Sequence, residues 1–260
     1  MLWGTWTLAR TSYQGLYDHG TLLSRLVNTA FRPAFTVLTF GYLASTVLQG
    51  ELLKHAVLGA SVLTLNWTTL GAALQTVGFE VGNGTLGMTL ASPVSRVRFL
   101  ASRGMLHIPN GLVAPVFAAV VGSLAFSLDP RGANYAGLAV SLVAVSLSLT
   151  ALGLLLGIFS LVMREVWALL GVSSVVLYVL SGAIVPLDSL HPVAEGAASF
   201  IPARWGIQGL HESLDGEGFA GLAPHLIREL LVGAGYFLLA VGALRLYEGR
   251  TRRRGSVDLV

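Results

Sequence analysis

The sequence predicts an all-α, polytopic membrane protein, and three observations carry that expectation. Of its 260 residues 54% are hydrophobic and only 11% charged, against roughly 25% charged in an average soluble domain. The mean hydropathy is +0.72. Apolar runs of bilayer-spanning length recur along the chain, and its 16 Lys and Arg residues fall unevenly between the segments joining them. A single transmembrane domain over 1–260 follows. With no cysteine present, a disulfide framework and a thiolate metal site are both excluded. Lys54 is the only lysine, and a pI near 9.5 reports loop arginines facing anionic lipid. Basic patches interleaved with aromatics, which nucleic acid would require, are missing.

The first element, 1–30, reads as a helix lying in the membrane interface. Trp3, Trp6, Tyr13, Leu16, Leu23 and Val27 recur at helical spacing opposite Arg10 and Arg25. Trp3, Arg10, Tyr13, Asp18 and His19 interrupt the segment, so it does not read as a cleavable signal. Beyond it, apolar runs near 33–49, 55–78, 105–128, 135–163, 166–185 and 226–247 each suit a membrane helix of about 20 residues. Six spans are expected. The first starts at Pro33, which a helix tolerates in its opening turn. Pro109 and Pro115 should bend the third, and the fourth is long enough to tilt or protrude. Arg228 and Glu229 shorten the apolar part of the sixth.

Orientation follows from charge. With both termini inside, Arg10, Arg25, Arg32, Arg96, Arg98, Arg103, Arg164, Arg245, Arg250, Arg252, Arg253 and Arg254 are cytoplasmic, while Lys54, Arg131, Arg204 and Arg228 are outside. Twelve against four obeys the positive-inside rule. The polar insert 80–104 and the tail 248–260 therefore face the cytoplasm. The outer segment 186–225 is divided by Pro186, Pro192, Pro202 and Pro224 into pieces too short to cross a bilayer. Val193–Ile201 and Ala203–Leu214, with Phe200, Ile201, Trp205, Ile207 and Leu210, read as short re-entrant helices leaning on the bundle. A solvated loop is the alternative, since Asp188, Glu195, Glu212, Asp215 and Glu217 are there too.

Chemistry is sparse. Gly82, Gly84 and Gly87 spell the dinucleotide pattern, but a membrane span precedes them instead of a strand, and His107 stands where the acid should be. No nucleotide-hydrolysing phosphate loop occurs. Histidines 19, 55, 107, 191, 211 and 225 never fall at metal-ligand spacing, no nucleophile elbow appears, and no embedded acid is expected inside a span. No catalytic residue, metal site or cofactor of this chain is predicted. The spans instead carry uncharged polar groups: Asn66, Thr68, Thr69 and Gln75 in the second, His107 and Asn110 in the third. These either bond between helices or, at Asn66, Gln75 and Asn110, line an amphipathic substrate's path. Gly153 with Gly157, and Gly233 with Gly235, suit close helix packing.

Within the insert, Thr85–Ala91 can form two helical turns with Leu86 and Leu90 on one side. Ser92 as a cap and Pro93 at the first helical position then restart a helix through Val94, Val97 and Leu100. The result is a short, bent knob suited to a groove on a cytosolic partner.

These residues resemble the membrane subunits of type-2 ATP-binding-cassette transporters, whose loop carries an acid, Gly-Thr-Leu-Glu and then Ser-Pro. Here the pattern stands as Glu80, Gly84, Thr85, Leu86, Ser92, Pro93 and Val94. Ser181, Gly182, Ile184, Val185, Pro186 and Leu187 look like that family's opening of the outer segment, and Pro202 like the proline that follows. The family's glutamate after Gly-Thr-Leu is Gly87 here, which suggests one of two non-identical permeases. The resemblance implies that 80–104 is a coupling helix for a separate cytosolic ATPase. Two copies of that ATPase would carry ATP and Mg beneath two permeases, this one paired with itself or with a relative. It also implies export of a drug-like amphiphile, lipid or glycan across a bacterial or archaeal cytoplasmic (inner) membrane, by alternating access. A partner-free channel or secondary carrier, or a membrane scaffold recruiting a cytosolic protein, are the alternatives.

Overall fold

A computed structural model of the protein describes residues 23, 26–46, 51–82, 95–105, 107–129, 131–163, 165–183 and 192–254. Its described elements are helical. A π turn at Val27–Phe31 leads into α1 (Arg32–Ser45), where Pro33 occupies the opening turn as expected. Next, α2 (Glu51–Leu63), a π turn (Asn66–Leu70) and α3 (Gly71–Gly82) form one interrupted rod. A second broken rod follows: α4 (Arg96–Met105), α5 (His107–Gly111) and α6 (Val113–Ala125). Then come α7 (Tyr135–Met163), α8 (Val166–Leu180), α9 (Pro192–Ala198), α10 (Arg204–Leu214) and α11 (Phe219–Arg254).

Among the described residues, four helices are long and apolar enough to cross a membrane: Leu52–Gly78, Arg96–Ala125, Tyr135–Met163 and Phe219–Arg250. They coincide with the second, third, fourth and sixth expected spans. The other two are shorter, with 14 residues in α1 and 15 in α8, or about 21 and 22 Å of helix against a hydrocarbon core of roughly 30 Å.

The 29-residue α7 is the axis of the bundle and packs against α3, α10 and α11. Buried residues run along it, from Ser141 and Val145 to Leu154 and Ile158, while Val140, Val143 and Leu147 leave one face of its first half exposed. One apolar cluster joins Leu65, Leu70, Leu74, Val145, Leu149, Leu170 and Ile207. A second joins Val77, Leu100, Leu154, Ile158 and Leu244, and a smaller one sets α1 against α2 and α6 through Val37, Val57, Ala60 and Ala118. Gly153 and Gly157 explain how close α7 comes to α3. A Cβ at Gly153 would sit 2.4 Å from the Leu70 carbonyl oxygen, and one at Gly157 would sit 2.9 Å from that of Leu74.

The second glycine pair corrects the expectation in part. Gly233 packs on Ser148, where a Cβ would meet Cα at 3.0 Å, but Gly235 has open space around it. One residue separates them, about 200° of helical rotation, so they cannot share a surface.

Two boundaries move as well. The outer segment expected to reach His225 gives way to helix at Phe219, and helix persists through Arg254, beyond the expected start of the tail at 248. Pro224 therefore lies inside α11. Its missing N–H leaves the carbonyl four residues back without a helical donor, and that residue, Ala220, is exposed. In the third span, Pro115 likewise releases the Gly111 carbonyl, which accepts a 3.3 Å hydrogen bond from Thr68 Oγ1.

Candidate functional site

Of the segment expected to couple to an ATPase, Glu80 lies in the last turn of α3. Gly84, Thr85, Leu86, Gly87, Leu90, Ser92 and Pro93 lie outside the described residues, as do the interfacial residues up to Leu22. The segment's exit is described. Arg96 opens α4 and grips Glu248 on α11 with two bonds, Nε to Oε2 at 2.6 Å and Nη2 to Oε1 at 2.5 Å. Both side chains are mostly buried, so the parallel fork is an orienting joint and more than a screened surface pair.

The polar groups inside the spans largely bond helix to helix. Asn66, 1% exposed at the start of its π turn, donates from Nδ2 to Ser174 Oγ on α8 at 2.5 Å. Its Oδ1 is buried without a partner among the described residues. Thr76 Oγ1 lies 2.7 Å from the Ala72 carbonyl oxygen and 2.8 Å from His107 Nε2, within hydrogen-bonding distance of both, joining α3 to α5. Asn110 is half-buried on α5, which packs on the π turn holding Asn66. Gln75, half-buried, is nine residues further along the rod, about 13 Å away along its axis. The structure thus brings Asn110 towards Asn66 but leaves Gln75 apart.

Between α8 and α11 two short helices are present, α9 and α10, and α10 packs on α7 and α11. Phe200 is 73% exposed, Pro202 is buried, and Pro186 lies outside the described residues. Trp205 Nε1 donates to the Ser199 carbonyl at 3.0 Å. The Arg204 and Arg228 guanidinium carbons lie 5.0 and 4.5 Å from the Trp205 ring centroid, and His225 stacks beside it at 6.0 Å. His225 Nε2 is 2.9 Å from Glu212 Oε1.

Glu229 overturns the expectation that no acid is embedded in a span. It is fully buried in α11. Its Oε1 accepts from the Ala203 N–H at 2.8 Å and from Ser148 Oγ, and its Oε2 accepts from the Gly206 N–H at 3.0 Å. Ala203 has a left-handed backbone, φ 75°, unusual for a residue with a Cβ. The carboxylate from α11 thus supplies the cap that no side chain of α10 provides. Gly206 leaves room for both neighbours, because a Cβ there would sit 3.3 Å from Glu229 Cγ and 2.2 Å from Val145 Cγ2 on α7. The signal in the sequence was the acid itself, since a carboxylate within an apolar run demands a partner.

A histidine pair fastens α10 to the start of the second span. The His55 and His211 rings stack with centroids 4.5 Å apart and planes 12° from parallel. His55 Nε2 is 3.0 Å from Asp215 Oδ1, and His211 Nε2 is 3.2 Å from the His55 carbonyl. Burial, reinforced by the neighbouring His55, lowers the His211 pKa to about 4.

Two further contacts escaped sequence reading. The Arg32 guanidinium sits 3.9 Å over the Trp67 ring, pinning α1 to the π turn, and Arg103 lies 5.1 Å over Phe99. A family model described as ABC-2 type transporter matches residues 5–214, which includes the insert, five of the six apolar runs and α10. No curated protein matches the chain.

Proposed function

Because the chain belongs to the ABC-2 type transporter family, we propose that it is the permease subunit of an exporter, driven by ATP hydrolysis on a separate cytosolic subunit. The family assignment and the apolar spans make it a transmembrane permease component. The further steps are our reading. The 80–104 insert docks in a cleft of the ATPase through Leu86 and Leu90, two permeases assemble over two ATPases, and alternating access moves an amphipathic drug, lipid or glycan outward. Both termini lie in the cytoplasm, the membrane being the bacterial or archaeal inner one.

The single observation that most supports coupling through the insert is the Arg96–Glu248 fork. A push on the insert reaches α4 directly and α11 through two charge-assisted bonds, so two spans would receive one displacement. The saturation of Glu229 by three donors favours a structural role for this acid over a proton relay.

Reconstitution with the ATPase tests the reading. Leu86→Asp or Pro93→Gly should abolish ATP-driven transport in vesicles while leaving insertion and substrate-independent hydrolysis in place. Unchanged coupled transport in both variants would refute the docking role. The purified chain alone should hydrolyse no ATP.

A further inference from the structure

Arg32 is a cation set among apolar side chains that face outward. The π turn Val27–Phe31 runs directly into α1, so Arg32 stands inside a continuous helix, about 20 Å along the axis from Ser45 at its far end. Phe31 beside it is 68% exposed and Phe35, one turn on, 73%. In a membrane helix such a face is turned to hydrocarbon, and Arg32 is exposed on it as well.

Its depth follows from Trp67. The guanidinium carbon lies 3.9 Å from the centroid of that ring. Trp67 is about 22 Å along the axis from Leu52 and about 16 Å from Gly78, the two ends of the second apolar span. The charge is therefore held near the middle of a hydrocarbon core roughly 30 Å thick. The arginine count groups Arg32 with the cytoplasmic cations, and the ring contact moves it inward.

A guanidinium at this level needs more than one aromatic face. The indole covers a face of the planar fork and leaves its edge of N–H donors. Among the described residues no carboxylate lies within ion-pair distance of Arg32, and no acceptor is hydrogen-bonded to it. An intramembrane cation is costly and marks a substrate pathway or a ligand position. The complement of a planar donor edge is a carboxylate, sulfate or phosphate. Phospholipid phosphates at rest lie about 15 Å away, at the surface of the core, and a free inorganic anion does not dissolve there. An anionic head comes within reach of Arg32 only while an amphiphile is being carried across.

We propose that Arg32, backed by Trp67, binds the anionic head of an amphiphile in transit, so that the cargo class is an acidic lipid or drug and not a neutral glycan. The role as a cargo site rests on the permease reading above, whereas the binding itself is measurable without an ATPase.

The probe is 2-bromohexadecanoate, whose bromine sits on the carbon beside the carboxylate and quenches indole fluorescence on contact. Its methyl ester is the neutral match, and the chain has no cysteine for either bromide to alkylate. The full chain in phosphatidylcholine nanodiscs is titrated with each, and the Trp67 signal is isolated as the difference from Trp67→Phe. Compared at equal mole fraction in the bilayer, the acid should quench this signal saturably and at about tenfold lower concentration than the ester. Arg32→Gln should bring the acid to the level of the ester. Arg32→Lys, which keeps the charge without the planar fork, should retain part of the preference. Equal quenching by acid and ester in the wild type would overturn the site without relying on any variant to fold; it is the outcome if a carboxylate of a second copy already holds the guanidinium. An acid preference that survives Arg32→Gln would overturn it too. The permease reading fails separately, if the chain binds the acid but its complex with the ATPase moves neither probe when ATP is added.

Discussion

Arg96 and Glu248, 152 positions apart, meet through two parallel hydrogen bonds of 2.6 and 2.5 Å. The pair joins α4, the helix that leaves the polar insert, to the last turns of α11. Arg96→Gln or Glu248→Gln should therefore weaken coupled transport more than it weakens the fold. A double-mutant cycle on stability should return about 2 kcal/mol, the usual value of hydrogen bonds to charged groups. The exchange Arg96→Glu with Glu248→Arg should recover part of the coupling, measured as transport per ATP hydrolysed. If all three variants keep wild-type coupling, the fork carries no signal.

Glu229→Ala should destabilise the protein by about 3–5 kcal/mol, since it strips the buried Ala203 and Gly206 N–H groups of their acceptor. Glu229→Gln retains an oxygen acceptor and should cost less than half as much. Chemical unfolding in detergent measures the difference. A near-neutral alanine variant would show that water or lipid headgroups replace the cap.

Two glycines in apolar helices should respond oppositely. Gly153→Ala drives a methyl to within 2.4 Å of the Leu70 carbonyl oxygen and should cost about 1–3 kcal/mol or more. Gly235→Ala meets nothing within 4 Å and should be neutral, or up to about 1 kcal/mol stabilising through helix propensity. Thermal melting of both variants in one detergent provides the comparison.

His211 sets a pH dependence. Burial and the adjacent His55 lower its pKa to about 4 from an ordinary value near 6.5, so the folded ring stays neutral where the unfolded ring is protonated. Its stabilising contribution is complete above about pH 6.5. Below that it should fall by up to about 1.4 kcal/mol per pH unit until the folded pKa is reached. Asp215, which favours the protonated ring, works against this loss. Unfolding followed between pH 7 and 4 should show a slope that His211→Gln flattens; parallel curves would rule out His211 as its source.

The long helices were legible because hydropathy accumulates locally over each run, and Leu52–Gly78, Tyr135–Met163 and the core of α11 needed no knowledge of their neighbours. Gly153 and Gly157 were legible for a related reason, a spacing that repeats on one helical face. What one-dimensional reading missed lies in long-range pairs. The π turn at Asn66 becomes intelligible only with Ser174 opposite, and the break after Gly111 only with Thr68 supplying a donor. Glu229 was visible but was read as a defect of the sixth span, because its partners at 203, 206 and 148 fall on two other helices. Gln75 belonged with Asn66 by composition alone, and the helical rise separates them.

The cap on α10 also imposes an order on biogenesis. Glu229 emerges from the ribosome more than twenty residues after Ala203, within a helix that must itself enter the bilayer. Until α11 is in place, the first turn of α10 presents N–H groups with no acceptor, and Ala203 has no bond to hold its left-handed backbone. The outer segment should thus be the last part of the domain to close. A nascent chain arrested before residue 219 should be cut by protease between residues 199 and 206, where the finished protein resists.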